Sequence, residues 1–302
     1  MTYSIFFILP QTLEKNPREQ ASVIYSVGGL ARHLKKEKIM KLSIIIPNYN
    51  SEKWINKCID SILGQVYTNY EIVIVDDMST DNSVNLIKEY NDSRIKLIEL
   101  DKKAFNGGAR NIGVANATGK YILFLDCDDW LHSTMSLFNV AQIIQETKAD
   151  LIRLSYMAYC NGKKARVKLH ENNLDELANT VFVAPWTKCV KKELFVPFPE
   201  NTLLEDVVQH IAQIDNIETI GYCNIPYAVW NRSNENAISS DTIKYTKESK
   251  RYSSVYRNLA DLLDLRCKHD YCEKQRQWRI KNYEDIIRRD DILGLINGVK
   301  ST

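Results

Sequence analysis

A doubly wound α/β fold on a parallel sheet is what this sequence predicts, and three observations predict it. From Leu42 onward, short apolar runs rich in Ile and Val alternate with segments whose apolar residues recur at helical spacing. The resulting order is strand–helix–strand–helix–strand–helix–strand, which right-handed crossovers turn into a parallel sheet. Polar clusters stand where three of those strands end, at Asn48-Tyr49-Asn50, Asp76-Asp77 and Asp126-Cys127-Asp128-Asp129. Sheets of this kind bind ligands at the carboxyl ends of their strands.

Each element follows from local chemistry. Leu42 to Ile46 is a buried strand closed by Pro47. Ser51 can cap a helix with Trp54, Ile55, Cys58, Ile59, Ile62 and Leu63 on one stripe. Glu71 to Val75 is the second strand. Ser79, Thr80 and Asp81 are placed to cap a helix that turns Val84, Ile87 and Tyr90 inward. Ile95 to Leu100 is the third strand, Gly107-Gly108 opens a third helix that stops near Gly119, and Tyr121 to Leu125 is the fourth strand. The second half is mixed: strand runs at 151–159, 165–169, 219–223 and 228–230, and a helix over about 203–214. After Asp241 the pattern is helical, with Tyr252, Val255, Tyr256, Leu259, Leu262 and Leu263 in step.

The totals narrow the class. A chain of 302 residues with 44% hydrophobic content can bury a large core. Net charge is +2, which gives no bias toward polyanions as a whole. The surplus sits at the C-terminal end, where residues from Lys244 onward carry fourteen Lys/Arg against nine Asp/Glu. The seven Cys are scattered and never spaced C-x-x-C, which argues against a disulfide framework or a zinc site and fits a reducing cytoplasm. No run reaches the ~18 apolar residues of a membrane span, and Ile5 to Leu9 is too short and too poorly flanked for a signal peptide. Residues 1–40 form an N-terminal extension. It is read first as sequence ahead of a start at Met40, with a short targeting or docking helix as the alternative. Residues 41–240 are expected to be the catalytic domain and 241–302 a helical segment.

The acidic cluster carries the first chemistry. Three carboxylates within four positions repel one another, and a fold accepts that when a hard cation neutralises them. Carboxylate, water and diphosphate oxygens suit Mg²⁺ or Mn²⁺. The alternative is a solvated turn ahead of Trp130.

Context gives the cluster its meaning. Ser43-Ile44-Ile45-Ile46-Pro47-Asn48-Tyr49-Asn50, Glu71 through Asp81, Asn106-Gly107-Gly108-Ala109-Arg110-Asn111, Gly119-Lys120-Tyr121-Ile122 and Phe124-Leu125-Asp126-Cys127-Asp128-Asp129 come in order. Together they resemble family 2 glycosyltransferases, over roughly residues 41–240 and more thinly after 150. Met78 stands where the family usually has Gly, so the turn must suit a residue with a side chain. Cys127 stands where Ser or Ala is common.

The resemblance implies a GT-A fold, a Rossmann-like nucleotide-binding sheet with a mixed acceptor-side half, followed here by C-terminal helices. It also implies roles. Pro47 and Tyr49 would line the base pocket, Asp77 would accept a hydrogen bond from a uracil-type ring, and Asp76 would orient the loop. Arg110 would approach the phosphates or the sugar, with a surface ion pair as its alternative. Asp128 would bind the metal directly, and Asp126 the ribose or the metal's water shell. Glu205-Asp206 has the form of the family's acidic pair at a helix start. Asp206 would be the base of an inverting transfer, with Glu205 beside it in the acceptor site and His210 sharing a face with Asp206. Helix-dipole complementation is the alternative for that pair. Trp186 and Lys188 would face the acceptor, Trp186 either stacking on a sugar or filling core. Arg232 would be a phosphate contact in the segment through Ser239. No third metal ligand stands out; His210 and His269 are candidates only in name.

The function expected is transfer of a sugar from a nucleotide-sugar, a UDP-sugar by the Asp77 contact, to a saccharide or lipid-linked acceptor in surface-polysaccharide synthesis. A nucleotidyltransferase would need a Gly-rich loop after the first strand, where this chain has Asn48-Tyr49-Asn50-Ser51-Glu52. A catalytically inactive binding relative is opposed by the intact Asp77, Asp126, Asp128 and Asp206. The basic C-terminal helices, with Arg276, Arg279, Lys281, Arg288 and Arg289, read either as peripheral membrane contact through 244–302 or as a helix pair packed on the catalytic domain. No nucleic-acid motif is present, so nucleic acid is not an expected partner.

Overall fold

The computed structural model describes residues 40–167, 173–180, 183–202, 205–234 and 249–289. The N-terminal extension through residue 39, the tip of the segment ending at Ser239, and the basic residues from Lys244 to Glu248 lie outside the described residues.

The four predicted parallel strands are β1 (Leu42–Asn48), β2 (Tyr70–Asp76), β3 (Ile95–Glu99) and β4 (Tyr121–Phe124). They lie side by side in the order β3-β2-β1-β4, all parallel. β1 is buried at every position, as a strand with neighbours on both edges and helices on both faces should be. The crossovers are α1 (Ile55–Leu63), α2 (Ser83–Lys88) and α3 (Phe105–Ala115). The α1 stripe is buried as expected through Ile55, Cys58, Ile59 and Ile62. Ser51 does not cap α1 with its side chain, which bonds Asn48 instead; its carbonyl accepts from Trp54 and Ile55. On α2 only Ile87 of the three predicted inward residues is fully buried, whereas Asp81 does accept from the Ser83 N–H.

The mixed half adds β5 (Trp130–Leu131), α4 (Ser136–Thr147), β6 (Leu151–Cys160), β7 (Lys163–Val167), α5 (Leu174–Ala178), β8 (Lys188–Lys191), α6 (Glu205–Asp215) and β9 (Ile220–Asn231). The sheet continues as β4-β8-β6-β9-β5, with β7 on β6. β8 runs antiparallel to both β4 and β6, and so joins the parallel half to the mixed half. The two short strands predicted at 219–223 and 228–230 are one strand, β9, which runs parallel to β6 through an irregularity at Leu154/Tyr156. Pro226 and the polar Asn224 hid that continuity. β5 and β8 are too short to show a period.

Two contacts lock the nucleotide-binding half. Gly119 turns into β4 so close to β1 that a Cβ there would stand 2.5 Å from Ser43 Oγ and 2.7 Å from the Ser43 nitrogen. Beside it, Glu71 accepts from Lys41 at 2.8 Å, Ser43 Oγ at 2.5 Å and the Gly119 N–H at 3.1 Å, and also from Thr118. Burial pushes the Glu71 carboxyl up, but these hydrogen bonds prevail and hold it down at about 2, against an ordinary 4.5. A folded-state pKa below the unfolded one gives stability above pH ~4.5 that is lost as pH falls toward ~2. At roughly 1.4 kcal/mol per pKa unit, Glu71→Gln is expected to cost about 3 kcal/mol at pH 7. Urea melts of both proteins should converge as pH falls from 5 to 2; a constant gap would contradict the linkage.

The C-terminal helices are α7 (Ser249–Asp264) and α8 (Asp270–Arg289). α8 packs on α5, α6 and α7. Among the described residues, no helix is long and apolar enough to cross a membrane. All seven cysteines are free thiols.

Candidate active site

The carboxyl ends of β1, β2 and β4 form one edge, as the sequence pattern required. At the end of β2, Asp76 is 3% exposed and accepts from Asn48 Nδ2 at 2.7 Å, Ser79 Oγ at 2.6 Å and Ser79 N at 3.0 Å. It therefore ties the β1 and β2 loops together. Asp77 accepts from the backbone N–H groups of Ala104 at 2.6 Å and Phe105 at 3.0 Å, which join it to the start of α3. Oδ1, with Ala104 as its one donor, keeps a further lone pair for a ligand donor.

Three exposed apolar side chains surround Asp77 at this edge: Tyr49, Met78 and Phe105. Met78 and Phe105 both take left-handed backbone, at φ 64° and 59°. The turn after Asp77 thus keeps a glycine-like conformation although Met occupies it, and the backbone carries local strain beside the site. Lys103 completes the group. Its Nζ lies 3.0 Å from the Tyr49 ring centroid, 2.7 Å from the Asp77 carbonyl oxygen and 3.3 Å from Asp77 Oδ2. Lys103 was not singled out by the sequence; the Lys102-Lys103 pair ahead of the glycine-rich turn was the available signal. Pro47 is buried in β1, in register with Val75.

The acidic cluster follows β4. Asp129 is 2% exposed and accepts from the Asn231 N–H at 2.7 Å; burial and its acidic neighbours push its carboxyl well up. Asp128 Oδ2 accepts from Asn234 Nδ2 at 2.8 Å, and burial followed by the charge of Asp126 raises its pKa. The end of β9 is thus latched onto the cluster by Asn231 and Asn234. Arg232, between them, is exposed, with its guanidinium 5.1 Å from the Trp230 ring.

Arg110 corrects the sequence reading. It is 3% exposed, so the ion pair read as a surface one is buried. Its Nη2 bonds Asp126 at 2.9 Å and its Nη1 bonds Glu205 at 2.8 Å. Glu205, 8% exposed, is the other carboxylate of this pair. One guanidinium from α3 therefore joins the loop after β4 to the first residue of α6. Gly107 permits the approach, since a Cβ there would meet Glu205 Cγ at 2.9 Å and the Pro199 oxygen at 2.8 Å.

Asp206 comes next on α6. Burial raises its pKa, against the opposing charges of Arg110 and Lys188. Lys188 is 4% exposed; its Nζ donates to the Val183 oxygen at 2.9 Å and lies 2.9 Å from His210 Nδ1. Burial pulls the Lys188 ammonium down to about 7, helped by Arg153. His210 Nε2 lies 2.9 Å from the Leu177 oxygen, so both ring nitrogens are engaged and the side chain is no metal ligand. His269 stacks on Tyr271. Trp186, 3% exposed, packs edge-on against Tyr156 at 4.8 Å and near Trp230 at 6.2 Å, which makes it core. Among the described residues, no group of three or more His, Cys, Asp or Glu is placed to hold a metal by itself.

The family model described as glycosyl transferase family 2 matches residues 43–212, which span β1 through most of α6 and every carboxylate above. The chain belongs to glycosyl transferase family 2. Among curated relatives of the chain, the UDP-Glc:alpha-D-GlcNAc-diphosphoundecaprenol beta-1,3-glucosyltransferase WfgD of Escherichia coli is 41% identical over 97 residues, 32% of this chain and 38% of WfgD. The curated relatives GlyA and GlyG of Streptococcus pneumoniae are matched over 25% and 58% of their own lengths, so the chain spans less than two thirds of either. The crystal structure of Staphylococcus aureus TarS 1-349 in complex with UDP-GlcNAc superposes with a TM-score of 0.65 at 24% identity, covering 81% of this chain and 72% of that one. The mannosyltransferase PcManGT from Pyrobaculum calidifontis, in complex with GDP-Man and Mn²⁺, gives 0.56 at 15% identity, covering 90% and 85%. The chain has the GT-A fold.

Proposed function

We propose that this glycosyltransferase moves a sugar from a UDP-sugar to a hydroxyl of a saccharide or lipid-linked saccharide in surface-polysaccharide synthesis, inverting the anomeric carbon, with Asp206 as base. The observation that carries this reading is the Arg110 bridge. By joining Asp126 to Glu205, it brings the donor-side acidic cluster and the candidate base of α6 to one place.

The chain's own residues supply most of the chemistry. Asp77 accepts from a pyrimidine N3–H while Lys103 can donate to the adjacent carbonyl, the pattern a uracil edge presents. Tyr49, Met78 and Phe105 give that base an apolar surround. Asp206, its basicity raised by burial, takes the proton of the acceptor hydroxyl as that oxygen bonds to the anomeric carbon. The bond from the anomeric carbon to the donor phosphate breaks, and the nucleoside diphosphate leaves with the electron pair. Lys188, near neutrality, and Arg110 keep compensating charge beside Asp206.

Asp126 and Asp128 each keep an oxygen after binding Arg110 and Asn234, and burial followed by the charge of Asp126 raises the Asp128 pKa. Hard oxygen donors that repel each other fit Mg²⁺ or Mn²⁺, which would supply positive charge to offset that of the leaving group. Asp128 is the direct ligand in this reading, and Asp126 shares the ribose or the water shell. The printed names of WfgD, TarS and PcManGT support the UDP-sugar, the lipid diphosphate acceptor and the metal as classes.

Thermal shift with a panel of UDP-, GDP- and CDP-sugars, with and without Mn²⁺, tests the reading. UDP-sugars are expected to stabilise most, and Asp128→Asn to remove the metal-dependent part of the shift. An unchanged shift in the variant would take Asp128 out of the metal site. Free thiols throughout fit work on the cytoplasmic side. Membrane contact through 244–302 receives less support, because Arg276 pairs with Glu273 and bonds the Leu262 oxygen while Arg279 faces the protein body. Lys281 is exposed.

A further inference from the structure

Three aromatic rings gather beside the ligand edge. β8 runs antiparallel to β4 with Cys189 opposite Leu123, so the turn just ahead of β8, which carries Trp186, stands at the end of β4 from which the acidic cluster follows. Trp186 and Tyr156 are buried and pack edge-on at 4.8 Å. Trp230 is the outer member. Its ring lies 6.2 Å from Trp186 and 6.3 Å from Tyr156, and it is only half-buried.

Short contacts tie Trp230 to both halves of the site. On one side, the next residue, Asn231, donates its backbone N–H to Asp129 at 2.7 Å, and the preceding one, Val229, pairs with Trp130, directly after the acidic cluster. On the other side, Trp186 is two residues ahead of Lys188, whose Nζ lies 2.9 Å from His210 on α6, one turn along from Asp206. Arg232 completes the group. Its backbone N–H is fixed to the Tyr159 oxygen at 2.8 Å, its guanidinium carbon lies 5.1 Å from the Trp230 ring, and its side chain is exposed.

This pairing has the chemistry of a sugar platform. One face of a pyranose carries several axial C–H groups, apolar and slightly positive, which settle on the negative face of an indole. Equatorial hydroxyls reach past the ring, and their oxygens accept from a guanidinium. Packing on Tyr156 and Trp186 already holds the indole, so little side-chain freedom is lost on binding. A phosphate would be drawn to Arg232 but would gain nothing from the ring.

We infer that Trp230 is the stacking platform of the acceptor site: a pyranose of the acceptor lies on it, with hydroxyl oxygens accepting from Arg232, between the acidic cluster and Asp206. The role that the sequence offered to Trp186 passes to its outer neighbour. This rests on the transfer reading above and extends it from the donor to the acceptor.

The test uses the full chain saturated with UDP and Mg²⁺, so that the donor site is filled first. Methyl glycosides of glucose, galactose, mannose and N-acetylglucosamine are then titrated, and saturation-transfer NMR reads binding. In wild type at least one glycoside should take up saturation in a saturable way, most strongly on the C–H groups of one ring face. Trp230→Ala should bind that glycoside roughly fivefold more weakly or worse. Trp230→Phe should keep part of the affinity, whereas Trp230→Leu, which fills the space without an aromatic face, should not. That last pair keeps the comparison sound should Trp230→Ala melt early. Trp278→Ala, which removes an exposed indole from α8, should match wild type. UDP affinity should be unchanged in all of them. No saturable response to any of the glycosides in wild type, or wild-type affinity in Trp230→Leu, overturns the inference. A chain that binds no UDP overturns the donor reading and this inference with it; UDP binding without glycoside binding overturns this inference alone.

Discussion

Asp206→Asn should lower transfer by roughly 10²–10⁴-fold, the usual contribution of a positioned general base, while leaving UDP affinity within about twofold. Asn keeps the size and the hydrogen-bonding capacity of the side chain but cannot take the acceptor proton. The pH profile separates this from a packing effect. Burial raises the Asp206 pKa, so the acid limb of the rate should lie above the ordinary Asp value of ~3.9, with activity rising as the carboxylate ionises. The residual activity of Asp206→Asn should lack that limb. A variant with wild-type turnover would move the base elsewhere.

Arg110→Met should cost more stability than any other single change at the site. Two carboxylates, Asp126 and Glu205, depend on one guanidinium that is 3% exposed. Removing the shared partner of a buried ion pair typically costs about 3–5 kcal/mol, because the remaining charges stay buried and unpaired. Urea unfolding at pH 7 measures the loss. Arg110→Met combined with Glu205→Leu should lose clearly less than the two single changes summed, since removing one buried carboxylate relieves part of what Arg110→Met leaves behind. Additive losses would mean that Arg110 and Glu205 act independently. Arg110→Lys keeps the charge but has no planar fork to span both acids, and should fall between.

The parallel half of the fold was legible because its signals are local. β1, β2 and β4 are continuous apolar runs, and each ends in the polar residues that form the ligand edge. The mixed half was less so. β8 has four residues, two of them lysines, yet it holds the centre of the sheet by pairing with β4 and β6. Only tertiary pairing makes it a strand. The same distinction runs through the site. Asp76 and Asp126-Asp128 could be placed from their positions at strand ends. The burial of Arg110 could not, because its partner Glu205 is 95 residues away. Lys103 and Asn234 join the site through loops that no spacing rule encodes. Trp186 could be read as stacking platform or core, and the aromatic cluster with Tyr156 and Trp230 makes it core.

Inversion is the stereochemical consequence of one displacement with one carboxylate base. Proton NMR can read it from the sugar released when the full chain and Mg²⁺ hydrolyse the α-linked UDP-sugar that gives the largest thermal shift, followed before mutarotation mixes the anomers. The β anomer should appear first, and Asp206→Asn should abolish its formation. First appearance of the α anomer, or equal release by Asp206→Asn, would contradict single displacement with Asp206 as base.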